Sequence, residues 1–434
     1  MRIAIIVDSY YPHSTGSAKL TRDLGVELRK QGHEVTVVTP NHLNTRNIEL
    51  STEEGLLVAR IKTGRLKGVS RVWRAVREAR LSATLWRKGG RFFRDHPCDL
   101  IIFYSPSIFF GSLARRLKSL WGCPAYLILR DIFPQWAVDA GAMREGLVYR
   151  FFRMKELEQY AAADVIGVQS PANLDYFSER LPNNNYHLEV LPNWAALEEP
   201  NIVPANHRDR LGLRDKVVFF YGGNIGVAQD PDNIIRLARG LQHESHIYFL
   251  LAGDGSEAER LKAVIAVRGL NNIRLLPSTG QQEYLAMLSE FDVGLVSLDR
   301  RLQTQNFPGK ILGYMYFAMP ILCSVNPGND VGVMLEKNGA GMSCLNGDDE
   351  TLRANALKLA NDAVLRRTMG RNARQLLEKE LSVSIIAKRI MSHFEERPEI
   401  HYADVKPTPA PMNAFQHKGA KDQRDKDIAF KKKK

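Results

Sequence analysis

The segment at residues 305–320, QNFPGKILGYMYFAMP, carries the residues whose types and spacing are best suited to anion binding. Pro308 and Gly309 indicate a turn, and the apolar spacing after them predicts a helix that begins near Lys310. A lysine in a first helical turn is disfavoured, because the positive end of the helix dipole lies there. A bound anion reverses this penalty, so we predict that Lys310 binds a phosphate group. The alternative is a solvated surface lysine.

Glycine clusters follow two predicted strands in the same half of the chain. The sequence GGNIG stands at residues 222–226, and GDG stands at residues 253–255. Glycines allow the backbone to approach a diphosphate closely, and the N-terminus of a following helix favours its negative charge. The spacing differs from the G-x-G-x-x-G of dinucleotide-binding proteins. A tight turn without a ligand therefore remains the alternative.

Charged residues also follow a predicted strand in the N-terminal half. Arg130 and Asp131 come directly after an apolar run. The Asp131 carboxylate is suited to orient or deprotonate a hydroxyl, and the Arg130 guanidinium is suited to bind a phosphate. A local ion pair or a helix cap is the alternative. His13 and Ser14, in the loop before Gly16, are predicted to face a cleft between the two halves of the chain, with a solvated loop as the alternative.

Short apolar runs alternate with helical periods throughout the chain, and this alternation must position the residues above. It predicts parallel, doubly wound sheets covered by helices on both faces. We therefore predict an α/β fold of two Rossmann-like domains that face each other across a cleft, at the carboxyl ends of their strands. Helices are predicted at residues 18–31 and 382–396. The predicted strands are residues 2–8, 33–39, 100–104, 125–129, 165–169, 188–191, 217–221, 247–252, 273–276, 293–297 and 320–324.

The predicted organisation along the chain has five parts. Residues 1–195 form the first Rossmann-like domain, residues 196–215 a polar linker, and residues 216–381 the second Rossmann-like domain. Residues 382–397 form a helix that packs back on the first domain. Residues 398–434 are polar, rich in proline and lysine, and predicted to be a disordered basic tail.

Composition narrows the class of protein. The chain has 434 residues, of which 44% are apolar and 25% charged, which excludes a disordered or fibrous protein. We expect neither a transmembrane helix nor a signal peptide, because the apolar runs are too short. We expect no metal site either, because the histidines do not cluster at ligand spacing. The four separated cysteines are interpreted as reduced core thiols of a cytosolic protein: Cys98, Cys123, Cys323 and Cys344.

The formal net charge of +12 comes from two local features. Residues 60–94 carry +11 and residues 406–434 carry +6, so the rest of the chain carries −5. In the first feature arginines alternate with Val69, Trp73 and Trp86, and the helical phase is lost beyond Leu81, which predicts two helices. Arginine beside tryptophan is typical of a segment that binds anionic lipid. The positive charge of this segment would also attract nucleic acid. A solvated helix face that binds nothing is the remaining alternative.

The chain resembles the family 4 glycosyltransferases of the GT-B class over about residues 1–400. The resemblance rests on LRKQGHEVTVVTP at residues 28–40, Pro192-Asn193, the two glycine clusters and the segment that ends at Pro320. FPGKILGYM at residues 307–315, followed by NPGND at residues 326–330, resembles bacterial O-antigen and capsule sugar transferases of the N-acetyl-L-fucosamine transferase type.

The resemblance implies a retaining, metal-independent transfer from a UDP-sugar, used as a co-substrate without a further cofactor. The second domain would bind the donor, and the first a polyprenyl-pyrophosphate-linked sugar acceptor. The enzyme would lie in the cytoplasm against the anionic inner face of the plasma membrane, and no nucleic acid is expected. The predicted catalytic residues are Asp131 and Lys310; the donor residues are Gly222, Gly223, Asn224, Gly253, Gly255, Gln305, Asn306, Phe307, Pro308, Gly309 and Lys310; the acceptor residues are His13, Gly16, Arg130 and Asp131.

The sequence departs from the family pattern at two places. The paired glutamates of the family would fall on Gln305 and Gly313, and glycine cannot bind the donor ribose as the second glutamate usually does. Asn224 and Gln229 stand near the positions of the usual Arg and Lys. The diphosphate charge would then fall on Lys310, on backbone amides, and on Arg300 or Arg301. Two alternatives stay open: a UDP-sugar 2-epimerase, and a non-enzymatic membrane- or nucleic-acid-binding protein with a vestigial donor site.

Overall fold

The structure, a computed structural model, describes most of the chain. The described residues are 1–12, 15–65, 71–105, 107–139, 141, 143–181, 185–198, 202–203, 205–303 and 307–395, with the backbone alone at 71, 72, 74 and 75. Residues 1–393 form one unit, and a second unit begins at Phe394. The predicted tail at residues 398–434 lies outside the described residues.

Eight strands of the N-terminal half form the first sheet, in the spatial order β3-β4-β2-β1-β5-β6-β7-β8. All neighbours pair in parallel except β3 and β4, which are antiparallel. The strands are β1 (Arg2–Ile6), β2 (Glu34–Asn41), β3 (Ile48–Glu53), β4 (Leu56–Lys62), β5 (Leu100–Tyr104), β6 (Ala125–Ile128), β7 (Val165–Val168) and β8 (Leu188–Val190).

Six strands of the C-terminal half form a second sheet that is parallel throughout, in the order β11-β10-β9-β12-β13-β14. The strands are β9 (Val217–Gly222), β10 (Ile247–Ala252), β11 (Ile273–Leu276), β12 (Val293–Ser297), β13 (Ile321–Val325) and β14 (Gly341–Leu345).

Helices connect the strands of both sheets. They are α1 (Gly16–Lys30), α2 (Arg71–Ala79), α3 (Leu81–Asp95), α4 (Gly111–Trp121), α5 (Gln135–Asp139), α6 (Leu147–Ala162), α7 (Pro171–Arg180), α8 (His207–Arg210), α9 (Pro231–Gly240), α10 (Ala258–Val267), α11 (Gln281–Glu290), α12 (Lys310–Tyr316), α13 (Asp330–Lys337), α14 (Asp349–Asn361), α15 (Ala363–Glu380) and α16 (Val383–Glu395). In the part of the chain that the structure describes, no helix combines the length and apolarity needed to cross a membrane.

The central strands of each sheet are buried apolar runs, and they confirm the prediction of two Rossmann-like α/β sheets. Every residue of β5, β6, β7, β12 and β13 is buried, as expected for parallel strands covered by helices on both faces. Burial of these runs is the main stabilising contribution to each half. Their carboxyl ends therefore sit on well-packed scaffolds. Cys98, Cys123 and Cys323 are buried free thiols, as predicted, whereas Cys344 is partly exposed.

Three strands that the sequence prediction missed lie at or near sheet edges. The hairpin β3–β4 and the edge strand β14 contain many partly exposed positions, so they lack the continuous apolar runs that reveal a buried strand. The first sheet is therefore not wholly parallel, which corrects the prediction. The basic segment 60–94 consequently begins on a strand, where Arg60 donates to Glu53 Oε1 at 2.7 Å and to the Tyr11 carbonyl at 2.7 Å. Arg60 therefore forms its hydrogen bonds within the protein.

The predicted break in the basic segment is confirmed, because α2 ends at Ala79 and α3 begins at Leu81. The predicted linker differs from the structure in one respect. Residues 207–210 form a short helix with His207 buried, and Arg208 donates to the Asp292 carboxylate at 2.6 Å. This stretch is therefore part of the C-terminal half.

Side chains and backbone join the two halves close to the ends of several strands. Ala195 pairs with Ser382 in an isolated parallel bridge, and the Ala172 amide donates to Asp330 Oδ2 at 2.9 Å. On α16, Arg389 donates to the Val190 carbonyl at 2.8 Å. The helix that follows the second sheet therefore contacts the last strand of the first one.

Candidate functional site

Lys310 is the first residue of α12 and lies beside the loop that follows β9. Its Nζ atom is 3.2 Å from the centroid of the Tyr221 ring, and a Cβ atom built on Gly223 would lie 3.9 Å from Nζ. Burial lowers the pKa of Lys310 well below its usual range. Among the described residues, no carboxylate lies within salt-bridge distance of its ammonium group. A partly buried cation at a helix start without a carboxylate partner is suited to meet an anionic ligand.

The glycines after β9 and β10 allow two loops to pack backbone against backbone. A Cβ atom on Gly253 would lie 1.8 Å from the Gly223 carbonyl oxygen, and one on Gly255 would lie 2.2 Å from that of Ile225. The Gly223 amide donates to the Ala252 carbonyl at 2.9 Å. Gly253 and Gly255 therefore allow the two loops to pack closely. Gly223 has a φ of 121° and carries no side chain on the side that faces Lys310.

Asn224 and Gln229 fix the shape of the first loop. Asn224 Nδ2 donates to Gln229 Oε1 at 2.8 Å, and the Gly226 amide donates to the same oxygen at 3.2 Å. These neutral side chains bring no charge where the family usually has Arg and Lys. The Arg301 guanidinium donates three hydrogen bonds to Asp299, at 3.0, 3.1 and 2.5 Å, so its charge is paired within the protein.

Two tyrosines surround Gly222 at the end of β9, and sequence reasoning missed both. Tyr314 Oη accepts from the Gly222 amide and donates to the Leu295 carbonyl, each at 3.2 Å. Tyr284 has no hydrogen-bond partner for its hydroxyl among the described residues, although burial raises its pKa to about 12 and keeps it a neutral donor. Its Oη would lie 3.9 Å from a Cβ atom on Gly313, so it occupies space that a larger residue 313 would need.

The loop before α12 is described from residue 307 onward. Gln305 and Asn306, two predicted donor residues, lie outside the described residues. Phe307 is buried, and its carbonyl accepts from Asn193 Nδ2 at 3.4 Å. The Pro308 carbonyl accepts from the Ile311 amide at 3.1 Å, and Gly309 is the exposed residue that precedes α12.

In the N-terminal half, Arg130 is bound by backbone carbonyls. Its guanidinium donates to the carbonyls of Leu191 at 2.8 Å and Pro192 at 3.4 Å, and it stacks on Trp194 at 5.2 Å. Burial lowers its pKa. Arg130 forms no ion pair with Asp131 in the described structure. Arg130 therefore holds the Pro192-Asn193 segment in place. Its predicted contact with a phosphate group stays a prediction.

Asp131 lies three residues beyond the end of β6, at the sheet edge shared with β1 and β5. Burial raises its pKa; the Arg130 charge lowers it, and the negative charge of Asp8 raises it further. Asp8 follows β1, and Tyr104 ends β5 between them. Asp8 belongs to no recognisable motif. The one feature of the sequence that points to a functional role for Asp8 is its position directly after an apolar run. The pair Asp8 and Asp131 is suited to bind a hydroxyl group and to accept its proton.

Pro192-Asn193 connects the two clusters. Arg130 binds the Pro192 carbonyl, and Asn193 reaches Phe307, three residues before Lys310. The structure therefore brings the ends of β6 and β9 into one region through a buried asparagine.

Gly16 is the first residue of α1 and has open space around it, and His13 lies outside the described residues. No group of three or more His, Cys, Asp or Glu side chains in the described ranges is arranged for a metal ion.

Comparison with known families decides the class of this protein. Residues 15–194 match the Glycosyl transferase 4-like domain, and residues 205–376 match Glycosyl transferases group 1. This chain belongs to the family 4 glycosyltransferases of the GT-B class. It is therefore a glycosyltransferase, as the resemblance implied.

Individual glycosyltransferases resemble the chain over most of its length. The putative colanic acid biosynthesis glycosyl transferase WcaI of Escherichia coli is 27% identical over 72% of this chain and 80% of its own. The fold is similar to that of sucrose-phosphate synthase from Thermosynechococcus elongatus, with a TM-score of 0.68, 17% identity, and coverage of 91% and 98% of the two chains. Anabaena HepE in complex with UDP and glucose gives a TM-score of 0.63, with 14% identity and coverage of 91% and 99%.

Proposed function

We propose that this glycosyltransferase moves a sugar, with retention of configuration, from a UDP-sugar to a lipid-linked acceptor in bacterial surface polysaccharide synthesis. An N-acetylated deoxyhexosamine is the donor sugar that the motif at residues 307–315 favours. The observation that carries the proposal is the partly buried Lys310 ammonium beside Gly223, without a carboxylate partner in the described structure. A diphosphate there would complete the missing ion pair.

The donor half of the site acts on the leaving group. When the bond between the anomeric carbon and the diphosphate breaks, negative charge develops on the departing UDP. Lys310 is fixed before the reaction, so it stabilises this charge without reorganisation. The low pKa of Lys310 fits a group that gains stability as a cation only when an anion is bound.

The acceptor half of the site acts on the incoming hydroxyl. Asp131 would orient that hydroxyl and take its proton as the new bond to the anomeric carbon forms. Burial raises the pKa of Asp131, and the negative charge of Asp8 raises it further, so Asp131 is a stronger base than an isolated aspartate. Arg130 would hold the acceptor side of the cleft in place through Pro192 and Asn193.

Two comparisons support the proposed substrates. The name of WcaI places that relative in the biosynthesis of colanic acid, a bacterial polysaccharide. HepE, which shares the fold, binds UDP and glucose. A cytoplasmic location on the inner face of the plasma membrane, with an anionic lipid surface and a polyprenyl-pyrophosphate-linked sugar as partners, follows from the proposed acceptor and from the basic segment 60–94.

Incubation of the purified chain with a panel of UDP-sugars and a bacterial lipid extract tests the proposal. We expect release of UDP and transfer of labelled sugar into the lipid fraction. Formation of an epimerised UDP-sugar without transfer would instead identify a 2-epimerase. Retention of DNA without any turnover would identify a binding protein, and either result would contradict the proposal.

A further inference from the structure

Tyr284, on α11, places a hydroxyl group beside Gly222 and Gly223 at the end of β9. A Cβ atom built on Gly222 would lie 3.0 Å from Tyr284 Oη, and one built on Gly223 would lie 3.9 Å from Lys310 Nζ. Consecutive Cα atoms are about 3.8 Å apart, so the hydroxyl and the ammonium group line one short stretch of the site. The hydroxyl of Tyr284 therefore lies next to the position predicted for the diphosphate.

The Tyr284 hydroxyl is available to a ligand. It forms no hydrogen bond with the described residues, the side chain is partly exposed, and the Oη atom is not fully buried. Tyr314 differs, because its hydroxyl accepts from the Gly222 amide and donates to the Leu295 carbonyl. Burial raises the pKa of Tyr284 to about 12, so its hydroxyl stays neutral and keeps its proton for donation. A neutral hydroxyl can meet another hydroxyl both as donor and as acceptor.

Gly313 on α12 leaves the Tyr284 hydroxyl uncovered. A Cβ atom built on Gly313 would lie 3.9 Å from Tyr284 Oη and 3.1 Å from Leu288 Cδ1, so even a small side chain there would crowd α11. Gly313 is three positions after Lys310, and residues at this spacing are neighbours on one helix face, with about 5–6 Å between their Cβ positions. The Tyr284 hydroxyl therefore lies about one helical turn beyond Lys310, on the same face of α12.

We propose that Tyr284 binds a ribose hydroxyl of the donor and thereby favours ribonucleotide donors over deoxyribonucleotide donors. The inference rests on the proposed UDP-sugar donor. In UDP the ribose follows the diphosphate directly, so a diphosphate bound by Lys310 brings the ribose within reach of a group about one helical turn away. The uracil base lies farther from the diphosphate than the ribose does. The ribose hydroxyls are therefore the neutral groups of the donor that best match the position of Tyr284.

Calorimetric titration of the full chain with UDP, 2′-deoxy-UDP and 3′-deoxy-UDP tests this contact. We expect the wild type to bind at least one deoxy nucleotide about fivefold more weakly than UDP, because one neutral hydrogen bond is lost. In Tyr284→Phe, UDP affinity should fall by a similar factor, whereas the same deoxy nucleotide should bind as tightly as it binds to the wild type. The two losses should not add, because both changes remove the same hydrogen bond.

Tyr248→Phe is the matched control. Tyr248 is partly exposed near the amino end of β10, whereas the site lies at the carboxyl ends of the strands, and its hydroxyl has no hydrogen-bond partner among the described residues. Tyr248→Phe should therefore keep the wild-type affinities for all three nucleotides. The unfolding midpoint of Tyr284→Phe reports whether that variant folds, and the comparison of the three nucleotides on the wild type does not depend on any variant.

The possible failures have different signatures. Equal affinity of the wild type for UDP and both deoxy nucleotides would overturn the inference. A Tyr284→Phe variant that binds all three nucleotides more weakly by the same factor would also overturn it, because the hydroxyl would then bind a phosphate group or the base. Failure of the wild type to bind UDP at all would instead overturn the proposed function.

Discussion

Lys310 combines partial burial with a positive charge, and these two properties oppose each other unless an anion is present. Its Nζ atom lies over the Tyr221 ring at 3.2 Å, which compensates only part of the desolvation penalty. Gly223 places no side chain beside the ammonium group, where a Cβ atom would lie 3.9 Å from Nζ. At the scale of single residues, this is the feature that best distinguishes a donor site from a tight turn.

Tyr284 provides a second test at the residue scale. Tyr284→Phe removes one hydroxyl that has no protein partner among the described residues, so we expect little change in stability. If that hydroxyl binds an oxygen of the nucleotide, UDP affinity should fall by about five- to tenfold, the size of one hydrogen bond of about 1 kcal/mol. Calorimetric titration with UDP measures this change.

Tyr314→Phe is the matched control for Tyr284→Phe. Its hydroxyl bonds to the backbone of Gly222 and Leu295, so its loss should lower the free energy of unfolding by about 1–2 kcal/mol. An unchanged UDP affinity in Tyr284→Phe would exclude this tyrosine from the donor site.

Asp8 should contribute to the pH dependence of the reaction through Asp131, whose pKa is raised by burial and further by the Asp8 charge. A general base works in its ionised form, so activity falls as the pH drops through the raised pKa of Asp131. Asp8→Asn removes a negative charge that raises this pKa, and the acidic limb of the kcat profile should therefore move to lower pH. Asp131→Asn should abolish most activity. An acidic limb that does not move in Asp8→Asn would show that the two carboxylates do not interact.

At the scale of elements, the sequence allowed the central strands to be predicted to within one or two residues. Runs such as those of β5 and β10 are buried on both faces, so their apolar pattern is continuous. The hairpin β3–β4 and the edge strand β14 were missed because partly exposed strands lack that pattern. Lys310 was found from its place at a helix start, which is a local property.

Other parts of the site depend on how elements are arranged in space. Asp8 approaches Asp131 only because β1, β5 and β6 are neighbours in the sheet, although β1 and β5 are far apart in sequence. Tyr284 reaches Gly222 from a helix without any motif. Arg130 was predicted to bind phosphate, and its backbone partners at residues 191 and 192 could not be read from its own neighbourhood.

The contact between the two glycine loops gives a prediction at the element scale. In Gly253→Ala, a Cβ atom would stand 1.8 Å from the Gly223 carbonyl oxygen, so the loops must separate. We expect a loss of about 1–3 kcal/mol in the free energy of unfolding, together with weaker UDP binding. Urea denaturation and UDP titration measure the two effects.

Gly90→Ala, on α3, is the control for this substitution. The nearest atom to its Cβ would be 3.8 Å away, and alanine favours a helix, so stability should not decrease. Equal stability of Gly253→Ala and the wild type would contradict the close loop packing described above.

At the scale of the whole molecule, charge is distributed unevenly between the parts of the chain. A net charge of +11 within residues 60–94 contrasts with −5 for the chain outside that segment and the basic tail. Reversal of Arg71, Arg74, Arg77 and Arg80 to Glu should release the protein from anionic vesicles at low salt, because each basic residue near such a surface contributes about 1 kcal/mol. Vesicle sedimentation measures the release, and UDP affinity should stay constant. Persistent binding at low salt would show that the segment is only a solvated face.

The central claim is that Lys310 stabilises the UDP leaving group in a site shared by both halves. The most direct test is the rate of UDP release from the donor by Lys310→Ala in the presence of acceptor lipid. We predict a decrease of about 100-fold or more in kcat with an unchanged unfolding midpoint, since fixed electrostatic stabilisation of a leaving group is lost. Lys337→Ala, at the exposed end of α13, should retain the wild-type rate. A Lys310→Ala enzyme with near-normal kcat would contradict the claim.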